Sequence, residues 1–419
     1  MTLIRTSALN ALAVATRMLT LLGLNKILAF YVGPTGYAAL GQFQNAVQML
    51  TSLASGSINV GVTKFTAEYH KDESYQQRVW MTAGTIALVG SLVTVFVILG
   101  MKGHLATWFL KDETYSSIFV WFSAALVFLS FNSLLLAILN GKKDIYRYVV
   151  ANITGSVFSL VITTILVVKW GLYGALVGLA VYQSLSFFIT LVLCYYTSWF
   201  KFRYLLGRLD WDITKKLMSY AAMAITSAIC LPVSQILIRS ILGDNLGWES
   251  AGYWEAMSRL SAAYLMFVTA TLSVYYLPRL SELKSFSEIK HEIVQGYKLI
   301  LPVTIIGSVL IYLLRDTLII TLFTKDFLPM RDLFAWQMIG DTLKIGSWIL
   351  AYVMLSQAMF KVYIVSEIFF SIGFVCLTWI LTKAYGLQGV VIAHSINYLI
   401  YWFFMSFFVY RELSAKKNK

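Results

Sequence analysis

Asp341 and Lys344 stand three residues apart in the stretch WQMIGDTLKIGSWILAYVM (Trp336–Met354), and Glu255 and Arg259 stand four apart in WESAGYWEAMSRLSAAYLM (Trp248–Met266). On a helix either spacing puts both side chains on one face, and an acid on the N-terminal side of its base is the favoured order. Apart from Glu249 at the start of the second, both stretches are otherwise uncharged and largely apolar. A guanidinium or ammonium held there makes charge-assisted hydrogen bonds to phosphate or carboxylate oxygens, and a carboxylate beside it can hold it in place or bind and release a cation. Trp348 continues the face of Asp341 and Lys344 as an aromatic shelf. Arg17 lies in the middle of another apolar stretch. Lys26, nine residues on, is half a turn out of phase with it unless Gly23 bends the helix, and it stands near enough to the end to snorkel. A fourth apolar stretch carries Gln42, Gln44, Asn45 and Gln48, amides that suit sugar hydroxyls and equally suit a neighbouring helix. Glu367 stands near one end of a further apolar stretch. His394, one turn before Asn397, reads as a hydrogen-bonded core histidine rather than a proton carrier.

The elements that hold these groups are membrane helices. The 419 residues are 59% hydrophobic and 13% charged, and the mean hydropathy is +0.73, outside the range of soluble domains. Crossing about 30 Å of hydrocarbon takes about 20 mostly apolar residues. Such stretches fall at 7–32, 38–63, 79–100, 117–140, 145–169, 171–197, 217–243, 251–277, 294–315, 333–357, 362–382 and 386–410. The expected fold is therefore an all-α polytopic membrane protein with twelve transmembrane helices. Arg17 interrupts the first stretch, which is also too long for the core of a signal peptide, so it reads as a retained span. Cys194, Cys230 and Cys376 all fall within spans, without metal-ligand spacing, and read as small apolar residues; no metal is expected. There is no P-loop, dinucleotide fingerprint, HExxH or nucleophile elbow, so no enzyme, no cofactor and no nucleotide-driven transport is expected.

The formal net charge of +13 follows the membrane rule rather than nucleic-acid binding, and no nucleic-acid partner is expected. With the N-terminus inside, the cytoplasmic segments hold most of the 33 Lys and Arg, and both termini come out cytoplasmic. Arg239 counts among the few cations on the opposite side. Arg17, Lys26, Arg259 and Lys344 fall within spans. A charge at the bilayer centre costs about 2.5–3.5 kcal/mol on the lenient insertion scale, so these four should face a wet interior.

The chain is an internal duplication. YVVANI (Tyr148–Ile153) returns as YIVSEI (Tyr363–Ile368), and GLYGALVG (Gly171–Gly178) as GLQGVVIA (Gly386–Ala393), both displaced by 215 residues. GPTGYAALGQ and WESAGYWEAM match more weakly near the same displacement. Six spans per half places both halves in the membrane the same way up, related by a pseudo-twofold along its normal. The expected organisation is a lobe at 1–198, an interfacial cytoplasmic linker at 199–212 and a lobe at 213–419. Asp341 and Lys344 correspond to Leu126 and Leu129, so the shared scaffold does not require those charges; Glu367 takes the place of Asn152. Gly174 and Gly178 read as close helix packing, and Pro232 and Pro302 as kinks that either shape the bundle or hinge it.

GPTGYAALGQ, GVTKFTAEYH, SVYYLPRLSELK and above all MRDLFAWQMIGDTLKIGSW resemble, along the whole chain, the Wzx flippases of the polysaccharide-exporting branch of the MOP superfamily. The last motif resembles those serving enterobacterial common antigen and O-antigen. The resemblance implies carriage of an undecaprenyl-diphosphate-linked oligosaccharide repeat unit from the cytoplasmic to the periplasmic leaflet of a bacterial inner membrane. It implies a two-lobe fold working by alternating access, with a polymerase and a chain-length regulator as pathway partners; membrane lipids as partners and a functional monomer are expected as well. It also implies lumen arginines on the first and eighth helices, which here are Arg17 and Arg259; Lys26 matches only loosely.

The substrate-binding set expected is thus Arg17, Lys26, Gln44, Asn45, Gln48, Arg259, Lys344 and Trp348. Glu255, Asp341 and Glu367 form the coupling and ion-pair set, with a proton or sodium ion as the coupled ion. Asp341 and Lys344 can neutralise one another, either as a switch opened by an anionic cargo or as a fixed lock on the tenth helix. The rival reading is a cation-coupled drug or metabolite antiporter on the same scaffold. Such a carrier should present unpaired acids to its cargo, whereas the first span offers Arg17 and no carboxylate.

Overall fold

The computed structural model describes residues 3–417 apart from 284 and 358; Lys284, the last residue of SVYYLPRLSELK, lies outside them. The helices are α1 (Leu3–Ala54), α2 (Asn59–Glu68), α3 (Glu73–Leu110), α4 (Ser116–Gly141), α5 (Ile145–Tyr195), α6 (Trp211–Leu246), α7 (Trp248–Thr271), α8 (Leu277–Glu282), α9 (Phe286–Leu313), α10 (Arg315–Leu322), α11 (Phe334–Ser356), α12 (Phe360–Tyr385) and α13 (Gln388–Lys417). The protein is an all-α polytopic membrane protein. Among the described residues, nine helical stretches are long and apolar enough to cross a membrane. Those in α1 and α5 are 44 and 51 residues long, enough for two crossings each. The 24-residue α7 is not among the nine, because Glu255 and Arg259 depress its hydropathy. The twelve spans read from the sequence fit this set.

Both double-length helices break at a glycine. Gly33 sits at φ 63°, ψ −175° ahead of Pro34, which has no amide hydrogen to continue the ladder. Gly171 sits at φ 55°, ψ −134°. A Cβ makes such positive φ values costly, so glycine alone takes them freely. Gly386, 215 residues after Gly171, has φ 57° and ψ −139°. The duplication extends to packing: a Cβ on Gly174 would collide with the carbonyl of Leu166, and one on Gly389 with the carbonyl of Leu381, again 215 residues apart. Gly178 likewise abuts Thr163. Polar caps start other helices: Asp72 accepts from the Tyr75 amide at 2.9 Å, and Ser285 and Glu288 form a capping box on α9.

The chain divides into two compact units, Met1–Val32 with Ala39–Pro232, and Gly33–Ala38 with Val233–Lys419. In the first, α2, α3, α4 and the end of α5 enclose a core around Trp80, Leu135, Ile138 and Phe187. Residues 199–212 are tied to α3: Trp199 meets Trp80 edge to face, and Thr85 donates to the Gly207 carbonyl at 2.9 Å. In the second, α7, α9, α11 and α13 enclose a core around Leu272, Tyr276, Ile345, Ile349 and Met405. Residues 33–38 belong to this second core, where Tyr37 is fully buried against Phe323 and Phe327.

Candidate functional site

Two polar constellations lie inside the second unit, both partly carried by α7. In the first, Glu255 accepts from two arginines: Nε of Arg259, one turn on, at 2.7 Å, and Nη1 of Arg239, on α6, at 2.6 Å. The Arg239 side chain is 1% exposed, that of Arg259 10% and that of Glu255 8%, so two guanidiniums share one carboxylate out of solvent. Arg259 also lies over the Tyr37 ring at 5.2 Å and Arg239 over Trp254 at 5.8 Å. Such contacts favour guanidinium because it is weakly hydrated and planar. The i,i+4 pair is the one the spacing called for. Arg239 is a correction: read as a cation outside the membrane, it is instead a buried member of α6. It stands seven residues before that helix ends, and the carboxylate of Glu255 draws it inward.

The second constellation centres on Asp341 of α11, which is fully buried. Its Oδ2 accepts from the Tyr264 hydroxyl of α7 at 2.7 Å, and its Oδ1 from Nε2 of Gln337 at 3.1 Å. Nε2 of His394, on α13, lies 3.2 Å from the same Oδ1. Gly340 makes that approach possible, since a Cβ there would collide with the imidazole. Tyr264 stands five residues beyond Arg259, about 7.5 Å further along α7.

Lys344 makes no direct salt-bridge contact with Asp341, which corrects the expected contact ion pair, although the two opposite charges, three residues apart on α11, still attract one another. The short Asp341 side chain is occupied by donors from its own helix and two others. The Lys344 ammonium turns instead to aromatic faces, 4.9 Å from the Trp348 ring and 5.6 Å from that of Tyr398. Lys344 and Trp348 thus come together as a caged cation on a half-buried face. Tyr264, Tyr398 and His394 complete the constellation; only the histidine had been singled out from sequence, as a bonded core residue, and it is one. The tyrosines gave no local signal because they meet α11 across helices.

Glu367 is half-buried on α12. In the first unit, Arg17, Gln44 and Gln48 are exposed on α1 and Lys26 and Asn45 are half-buried, with Gly33 dividing the two cations from the three amides. The backbone is helical at Gly23, so no bend there brings Lys26 into phase with Arg17. No group of three or more His, Cys, Asp or Glu fit to hold a metal ion occurs among the described residues.

Long apolar helices with charged clusters buried among them define a polytopic membrane-protein fold. The same fold occurs in an inward-facing multidrug resistance MATE family transporter of the MOP superfamily, with a TM-score of 0.79 and 17% identity over 96% of each chain. It also occurs in an outward-facing one, with a TM-score of 0.68 and 16% identity over 97% of this chain and 96% of that one. Residues 4–284 match the polysaccharide biosynthesis protein family, and the chain belongs to it. It is 30% identical over 378 residues, 90% of its own length and 91% of the relative's, to the lipid III flippase of Escherichia coli (strain K12). The identity to the lipid III flippase of Shigella flexneri is the same.

Proposed function

We propose that this protein is a flippase that carries an undecaprenyl-diphosphate-linked oligosaccharide repeat unit, of the enterobacterial common antigen or O-antigen type, from the cytoplasmic to the periplasmic leaflet of a bacterial inner membrane by alternating access. The observation that carries the reading is the gathering of cations inside the apolar helices: Arg239 and Arg259 both bond the carboxylate of Glu255, and Lys344 lies against the rings of Trp348 and Tyr398. Such charges are expensive unless an anion uses them. A diphosphate supplies one, and its outward movement is downhill in an inside-negative potential by about 2.3 kcal/mol per charge per 100 mV. No covalent step is needed, and the protein acts as a carrier rather than an enzyme.

Arg259 and Arg17 take the diphosphate, with Lys26 and Lys344 as further cations; Gln44, Asn45 and Gln48 meet glycan hydroxyls, and Trp348 offers a sugar its ring face. Glu255 holds the arginines, while Asp341 and Glu367 are the groups through which a proton or sodium ion is coupled. Six-span lobes at 1–198 and 213–419 are joined by residues 199–212, both termini are cytoplasmic, and the monomer works beside a polymerase and a chain-length regulator. The antiporter reading is weaker, because Glu255 and Asp341 already bind arginines, Tyr264, Gln337 and His394 rather than presenting open oxygens.

The test is reconstitution with a fluorescent undecaprenyl-diphosphate-linked oligosaccharide, following its loss to an impermeant quencher. Protein-containing vesicles should move it faster than empty ones, and Arg17→Ala and Arg259→Ala should each stop the movement while inserting normally. No acceleration by the wild-type protein would defeat the reading, whereas normal rates in both variants would move the site elsewhere.

A further inference from the structure

A groove of about 580 Å³ lies between α9 and α13 at the ends where Phe286 and Tyr410 meet edge to face. Its walls are apolar: Ile293, Val294 and Leu301 on α9, Leu350 on α11, and Trp402 and Val409 on α13. The polar atoms at its deep end are already satisfied, since Trp402 Nε1 donates to the Tyr297 hydroxyl at 2.8 Å and that hydroxyl donates to the Gly346 carbonyl at 2.9 Å. The one charged residue lining it is Lys290, which is exposed and makes no ion pair among the described residues. The acids beside Lys290 on α9 are engaged elsewhere, Glu288 in the helix cap and Glu292 with Arg279 at 3.7 Å. Arg411, next to Tyr410, is exposed and adds positive charge near the same end of α13.

From Lys290 to Leu301 the groove runs about 16 Å along α9, close to half of a hydrocarbon core of about 30 Å. An apolar slot one leaflet deep with a cation at its mouth fits one kind of occupant. We propose that it is a binding site for an anionic phospholipid, one acyl chain lying in the groove and the phosphate against Lys290. A chain of phospholipid length reaches from the interface to the bottom of the slot, whereas a polyprenyl tail is several times too long to be housed in it. With the orientation proposed above, the mouth of the groove faces the cytoplasmic leaflet; the binding itself does not depend on that orientation.

The site is tested on the full-length protein in detergent micelles by native mass spectrometry, with added dioleoylphosphatidylglycerol or dioleoylphosphatidylcholine. One phosphatidylglycerol should be retained per protein under conditions that strip phosphatidylcholine. Lys290→Gln should lower its retention at least fivefold. Val294→Trp, at a position 41% exposed where the larger side chain fills the groove without disturbing the core, should remove it. Equal retention of the two lipids, undiminished retention in either variant, or displacement by an equimolar amount of undecaprenyl phosphate would overturn the proposal. Because both faces of the protein are open in a micelle, neither a reversed orientation nor a failure of glycan transport changes the readout.

Discussion

Replacing Glu255 with Leu isolates the energetics of the arginine cluster. The substitution leaves Arg239 and Arg259 with side chains 1% and 10% exposed and removes the carboxylate between them. Each guanidinium loses a charge-assisted hydrogen bond, at about 1.5–3 kcal/mol apiece, and removing one partner of a buried ionic group costs about 3–5 kcal/mol in measured cases. The two routes agree on a loss of about 3–5 kcal/mol. Circular dichroism during titration of the purified protein with sodium dodecyl sulfate in mixed micelles reads the unfolding equilibrium. The triple replacement Arg239→Met, Glu255→Leu, Arg259→Met removes every charge together and should return stability to within about 1 kcal/mol of wild type, because an apolar cluster of similar volume replaces a desolvated ionic one. It should nonetheless move no lipid-linked glycan. A Glu255→Leu protein as stable as wild type, or a triple variant no more stable than Glu255→Leu, would refute the reasoning.

A double-mutant cycle between Asp341→Asn and His394→Asn should show coupling of about 1 kcal/mol or more, since the two groups are in contact, and more than the cycle with Lys344→Gln, which makes no direct contact with the carboxylate; the reverse order would restore the direct ion pair. Gly340→Ala drives a Cβ into the His394 ring and should destabilise the protein by about 1–3 kcal/mol, with much of the loss recovered in Gly340→Ala/His394→Ala; additive losses by thermal unfolding would reject the slot. The Tyr75 amide bonded to Asp72, then the Ser74 hydroxyl, hold that carboxyl below its ordinary value of 3.8. Its folded pKa is depressed, so its contribution is complete above that value and is lost as pH falls through the folded pKa; the stability difference between wild type and Asp72→Ala should be constant near neutrality and close in acid, and a difference that widened in acid would contradict the cap.

The spans were legible because a bilayer demands long apolar runs whatever else a sequence encodes. Glu255 and Arg259 were legible for a related reason, since four residues on a helix fix a shared face before any tertiary contact exists. Spacing could not reveal what Asp341 touches. Tyr264 is 77 positions away and His394 is 53, and their meeting depends on how α7, α11 and α13 pack. Local spacing there favoured Lys344, which the structure turns toward two rings. Arg239 was misplaced because its nearness to the end of its span looked like a route to water. Its position within an apolar run, seven residues short of a tight turn into the helix bearing Glu255, was the signal for the buried pairing. The glycine hairpins at Gly171 and Gly386 were visible as repeated words, and their shared backbone angles give that repetition a steric cause.

The arginine cluster also bears on how the chain is inserted. α7 is too polar to partition into lipid readily alone, and Arg239 burdens α6 in the same way. The two helices are consecutive and joined at Gly247, whose φ of 88° gives the tight turn that ends one and begins the other. Synthesis delivers Arg239 first, Glu255 sixteen residues later and Arg259 four after that. Entry of the two helices together as a hairpin would bring Arg239 and its carboxylate into the membrane as a pair, so that the second helix need not rely on its own hydropathy.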